Sequence, residues 1–87
     1  MAAFTHTLAY PLQLDQETIK EIHLRRPTVK DLRLLDERSG IDSSIGMVAS
    51  LSGLTEATIE MLDGADFMQL SEAVEGFLPD SQETGKA

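Results

Sequence analysis

The stretch Ile22-His-Leu-Arg-Arg-Pro-Thr-Val-Lys-Asp-Leu-Arg33 restricts the fold more than any other part of the chain. It reads as a strand that stops at a proline and passes into a capped helix. Pro27 has no backbone N–H to give to a strand ladder, and it keeps Arg26 out of the helical region. Thr28 is then placed to cap a helix. Asp31, three residues on, can reach back to the cap or sit at the positive helix end. The chain is therefore β before this junction and α after it. Eighty-seven residues suffice for one domain. The expectation is a single small α+β domain over residues 1–78: an N-terminal β-hairpin followed by about four short α-helices. Such a body buries only about 60–65% of its unfolded surface, so oligomers or partners often supply the remaining stability.

Ahead of the junction, Phe4, His6, Leu8, Tyr10, Leu12 and Leu14 occupy even positions with Thr5, Thr7 and Ala9 between them, the alternation of a half-buried strand. Pro11 marks this strand as an edge strand or as bulged. A turn at residues 15–17 and a second strand carrying Ile22 and Leu24 complete the hairpin. A three-residue loop sets Leu8 opposite Leu24 and Tyr10 opposite Ile22. A slip of one residue would scatter these side chains to opposite faces.

Behind the junction, a first helix is expected from about Val29 to Arg38, with Val29, Leu32 and Leu35 inward and Leu34 about 100° outside that stripe. Gly40 stops it. A second helix starts near Asp42 or Ser43 and runs to Gly53, with Ile45, Val48 and Leu51 inward and Met47 on the shoulder. Thr55 caps a short third helix with Ile59 and Leu62. Asp63-Gly-Ala-Asp66 caps a fourth, where Phe67, Leu70, Val74, Phe77 and Leu78 share a face opposite Gln69, Glu72 and Glu75. Pro79 ends it, and residues 79–87 read as a polar, disordered tail.

Charge is unevenly placed. Through Arg38, six basic residues balance six acidic ones; beyond it Lys86 alone stands against nine acids, which gives the whole net charge of −8. That acidic half disfavours a phosphate-binding surface and suits solubility or a basic partner. The basic cluster Arg25, Arg26, Lys30 and Arg33 has interleaved acids and no aromatic residue; pairing with the acidic helices is the expectation, not nucleic-acid binding. The chain has no cysteine, hence no disulfide framework. Neither a signal segment nor a membrane anchor is apparent.

No catalytic constellation emerges, and no cofactor is implied. His6 and His23 point to opposite hairpin faces and lack further ligands, so no metal site is expected. Glu56/Glu60 and Glu72/Glu75 have the spacing of a solvated helix face. Gly40-Ile-Asp-Ser-Ser-Ile-Gly46 lacks the glycine pattern and lysine of a phosphate loop, and helix capping accounts for Asp42 and Ser43. Two features point to a partner instead. The hairpin has open edges that can accept a strand, a route to self-association. Several large apolar residues also lie outside the tidy stripes or at their ends. Contacts are expected from Leu34, Met47, Met68, Phe77 and Leu78.

The succession of a leading hairpin, Leu24-Arg-Arg-Pro-Thr-Val-Lys-Asp-Leu-Arg33, Leu51-Ser-Gly-Leu-Thr55, Leu62-Asp-Gly-Ala-Asp-Phe67 and a closing Gly76-Phe-Leu78 resembles the small tail assembly chaperones of Mu-like contractile-tailed bacteriophages. The likeness runs over about residues 4–78 and rests on order and spacing, because each short motif alone is punctuation. It implies a non-enzymatic factor of the host cytoplasm. Such a factor binds the long helical tape-measure protein, keeps it soluble until the tube forms, and is absent from the mature virion. It also implies that a longer frameshifted form can exist; a homo-oligomer through the hairpin edge stays open beside it. Nothing in the resemblance assigns a binding residue. The rival reading is an acidic inhibitor that mimics nucleic acid and blocks a basic host protein. Salt separates the two, since mimicry weakens steeply with ionic strength.

Overall fold

A computed structural model describes residues 2–78; the expected disordered tail lies outside the described residues. The order of elements is β1 (Phe4–Gln13), β2 (Thr18–Leu24), α1 (Val29–Glu37), α2 (Gly40–Ser52), α3 (Glu56–Glu60) and α4 (Gly64–Phe77). The architecture is α+β, an antiparallel two-stranded hairpin followed by four helices.

The hairpin register differs from the expected one. Leu24 stands opposite Phe4 and Ile22 opposite His6, four residues earlier on β1 than a regular ladder from a three-residue turn would give. The cause is a bulge. Between the pairs Thr7–Glu21 and Leu12–Ile19, β1 carries four residues where β2 carries only Lys20. The connection is also longer, Leu14 to Glu17, and is closed by the Leu14 N–H donating to the Glu17 carbonyl at 2.8 Å. A shift by an even number preserves the faces, so Leu8, Ile22 and Leu24 still point inward. Tyr10 does not: inside the bulge it leaves the alternation and is 61% exposed. Pro11 sits in the same irregular stretch, where a missing donor disrupts nothing.

α1 also faces a different way from that expected. Asp31 is its buried residue, and Leu34 packs against the core, whereas Val29 is 79% exposed and Leu35 44%. The inward residues are Asp31 and Leu34, one helical turn apart. Hydrogen bonds to Asp31 set this rotation against the apolar periodicity: Val29 and Leu35 are exposed and Leu32 is half-buried.

α2 starts earlier than expected, at Gly40 with Ser39 as N-cap, so Asp42 and Ser43 lie within the helix and do not cap it. Arg38 and Ser39 are extended, and Gly40 takes φ +62°, making the corner between α1 and α2. At the other end Gly53 adopts φ +80° and donates its N–H to the Ala49 carbonyl at 2.9 Å, a left-handed cap suited to glycine. α2 touches β2, α1, α3 and α4 and is buried at Gly46, Met47, Val48, Ala49 and Leu51. A helix apolar on most faces belongs in the centre.

The short α3 begins as expected, with the Thr58 N–H donating to Thr55 Oγ1 at 3.1 Å. α4 begins with the Ala65 N–H donating to the Asp63 carboxylate at 2.9 Å. Its inward face matches the periodicity: Leu70 and Val74 are buried, Phe67, Phe77 and Leu78 pack half-buried on the core, and Gln69, Glu72 and Glu75 are exposed. The core thus sits between the inner hairpin face, α2 and α4.

Candidate interaction surfaces

Two buried carboxylates position the surfaces. Asp31 accepts from Arg25 Nη1 (2.8 Å) and Nη2 (3.2 Å), from the Thr28 N–H (2.7 Å) and hydroxyl (3.1 Å), and from Ser50 Oγ (2.6 Å). Arg25 foremost, then Ser50 and Thr28, outweigh burial and hold this carboxyl well below the usual carboxylate range. The reach of Asp31 back to the Thr28 N–H is the expected cap. The bonds to Arg25 and Ser50 extend it into a joint between the end of β2, α1 and α2.

Asp66, 1% exposed in the first turn of α4, is the second joint. Its Oδ1 accepts from the Ala9 N–H at 2.8 Å and lies 3.0 Å from His6 Nε2, and its Oδ2 accepts from the Tyr10 N–H at 3.0 Å. Burial pushes its pKa up, but the donations from Ala9, His6 and Tyr10 prevail and the net shift is downward. The carboxylate therefore takes up the N–H groups that the bulge frees from the ladder. His6, expected beside Phe4, has Asp66 as its partner. The β1 edge is closed to strand addition at Ala9 and Tyr10.

Both aspartates are held ionised and surrounded by donors, an arrangement for binding segments together and a poor one for moving protons. His23 is on the opposite hairpin face, 57% exposed at its side chain and 3.6 Å from Glu21. Among the described residues no three His, Asp or Glu side chains are grouped to hold a metal ion. No described helix is long and apolar enough to cross a membrane.

The structure disperses the five expected contact residues. Met68 is 58% exposed on the outer side of α4. Leu34 is half-buried between α1 and α2, beside Lys30, Arg33 and Glu37. Phe77 lies under the Arg26 guanidinium, whose carbon is 5.5 Å from the ring centre. Leu78 forms a wall of a groove between the α1–α2 corner and the end of α4, with Leu35 and Val74 beside it and Met47 at its base. Met47 itself is only 1% exposed, so its placement as a surface contact is corrected: a central helix has no outward shoulder at that position.

Sequence periodicity missed Val29, Leu35 and Ile41 as exposed apolar residues; Ile41 is 68% exposed. With Ile45, Ile59, Leu62 and Phe67 it lines a cleft between the start of α2, α3 and the start of α4, beside Glu60 and Gly64. The basic cluster also differs from expectation. Arg25 pairs with Asp31 at its own junction, and Arg38, outside the cluster, reaches the acidic half through Glu56 at 3.0 Å and Asp42 at 4.0 Å. Among the described residues Lys30 and Arg33 form no ion pair.

Across residues 5–79, from the first strand past the last helix, the chain matches the family profile described as phage tail assembly chaperone proteins, E, or 41 or 14. The chain belongs to the phage tail assembly chaperone family. No curated protein and no solved structure matches it. Membership implies interaction with tail proteins and suggests a non-enzymatic role. In this tail assembly chaperone the matched stretch contains both aspartate joints, every helix and each exposed apolar residue described above.

Proposed function

We propose that this tail assembly chaperone binds the phage tape-measure protein in the host cytoplasm and keeps it soluble until tail-tube subunits enclose it, remaining outside the mature virion. The family match carries the reading. Its physical support is apolar surface on a small acidic body: Val29, Leu35, Ile41 and Met68 stand exposed, and Leu78 walls a groove. A long helical client presents apolar stripes that such surfaces can cover. The carboxylates then keep the complex dispersed by mutual repulsion. Leu34, Met68, Phe77 and Leu78 are the proposed contacts, and Met47 supports the groove from beneath. Many copies of moderate affinity along one client give avidity without irreversible capture. Self-association, or a longer frameshifted form, fits the same scheme. In this reading the protein takes no cofactor and carries out no chemistry.

Affinity capture of a tagged tape-measure protein tests this reading. The wild-type chain is expected to co-purify with it, and Phe77→Ser combined with Leu78→Ser to be lost from the complex while remaining folded. Absence of wild-type co-purification overturns the proposal. Loss of folding in the double variant returns those two residues to the core, and Met68→Ser then serves as the surface probe.

A further inference from the structure

We propose that the cleft between α2, α3 and α4 is a docking site for a cationic amphipathic helix, one whose apolar anchors are flanked by lysine or arginine. For its biological partner this rests on the client-binding reading; its chemistry stands on the cleft. Ile41 and Ile45 lie one helical turn apart on α2, Ile59 and Leu62 come from α3 and the turn after it, and Phe67 from the start of α4. Met68, 58% exposed and one turn beyond Gly64, stands next to this lining on α4. Apolar positions spread over three elements match the i, i+3, i+4, i+7 anchors of a helix laid in a groove.

The rim decides which helix fits. Between Ser39 and Leu78 the sequence contains no lysine, arginine or histidine. Glu60 lines the cleft, Asp63 precedes Gly64, Asp42 follows Ile41, and Glu72 is one turn past Met68. Arg38, four residues before Asp42, is engaged with Glu56 at 3.0 Å and stands 4.0 Å from Asp42. Among the described residues Glu60, Asp63 and Glu72 have no basic partner. Cationic flanks complement that rim, and acidic flanks are repelled by it. Gly64 lines the cleft, and a Cβ placed there meets nothing within 4 Å, so a larger side chain is tolerated by the fold at the cleft's edge.

The probes are two designed amphipathic peptides of leucine with lysine or leucine with glutamate, plus a scrambled leucine–lysine peptide. Binding to the full chain is read by fluorescence anisotropy. The leucine–lysine helix is expected to bind, and the other two to bind at least about tenfold more weakly. Ile41→Ser with Met68→Ser removes two exposed anchors and is expected to weaken binding at least about tenfold. Gly64→Gln is expected to weaken it by obstruction, with an unchanged circular dichroism spectrum. Tyr10→Ser, an exposed change on β1, leaves it unchanged. Equal binding of the scrambled or glutamate peptide overturns the proposal, as does indifference to the cleft variants. A concentration-dependent dimer abolished by Ile41→Ser with Met68→Ser also overturns it, in favour of a second copy as occupant. If wild type solubilises the tape-measure protein and the cleft variant does so equally, the cleft is refuted as its docking site and the chaperone reading survives. If wild type fails as well, the chaperone reading falls while the peptide result still judges the cleft.

Discussion

Asp31 and Asp66 tie together segments that the backbone pattern alone leaves loose. Asp66 takes two amides of the β1 bulge and His6; an asparagine there still accepts but turns an N–H₂ group toward donors. Asp66→Asn is expected to destabilise the protein by about 2–3 kcal/mol, as for a buried hydrogen-bonded charge that loses its match, measured by urea unfolding at pH 7. Both aspartates have pKa values lowered in the fold. The unfolded chain therefore binds more protons as pH falls through the ordinary carboxylate range near 4, and their stabilisation, fully present above about pH 5, is lost below it. Acid titration of the unfolding midpoint is expected to show this limb, and Asp31→Asn combined with Asp66→Asn to flatten it. The residue scale also marks what sequence could and could not reveal. Thr28 and Asp31 are three positions apart, so their contact was legible from local spacing. Asp66 and Ala9 are 57 apart, and Pro11 announced an irregularity without naming what would fill it.

Among the elements, α1 is the one whose orientation went against its pattern. Its leucines and valine suggested one inward stripe, but the bonds from Arg25, Thr28 and Ser50 to Asp31 fix a rotation that puts Leu34 inward and leaves Val29 and Leu35 out. Val29→Ser and Leu35→Ser are each expected to change stability by no more than about 0.5 kcal/mol, and Leu34→Ala to cost about 1–2 kcal/mol, by thermal or urea unfolding. The reverse order would restore the stripe read from periodicity. Packing of α1 on α2 can be probed at Gly46, where an added Cβ would come 2.8 Å from Arg38 Nη1 and 3.5 Å from Leu34 Cδ1. Because the closer atom ends a flexible side chain, Gly46→Ala is expected to be near neutral. The gain in helix propensity, up to about 1 kcal/mol, offsets a weakened Arg38–Glu56 pair. Gly46→Leu is expected to destabilise clearly. α4 was legible because its apolar period and Asp63 cap agree. α2 was legible in its centre and at Gly53, but its first turn was read as loop, which hid Ile41 and with it the cleft.

For the whole molecule, the division of charge and the spread of exposed apolar residues come from one arrangement. The hairpin and α4 close the core over α2, and the acids left on the helices surround apolar positions that the core does not absorb. Composition made a partner legible; it could not say where the partner sits, because that depends on the rotation of α1, the start of α2 and the turn at Gly64, all set by tertiary contacts. An apolar interface also separates this account from nucleic-acid mimicry, since binding by mimicry collapses with added salt, whereas apolar coverage persists apart from the contribution of the charged rim. The most direct measurement is the soluble fraction of the tape-measure protein when expressed with and without this chain. The account predicts that the tape-measure protein moves from the pellet to the supernatant in a complex containing this chain. Equal aggregation in both cases would contradict it.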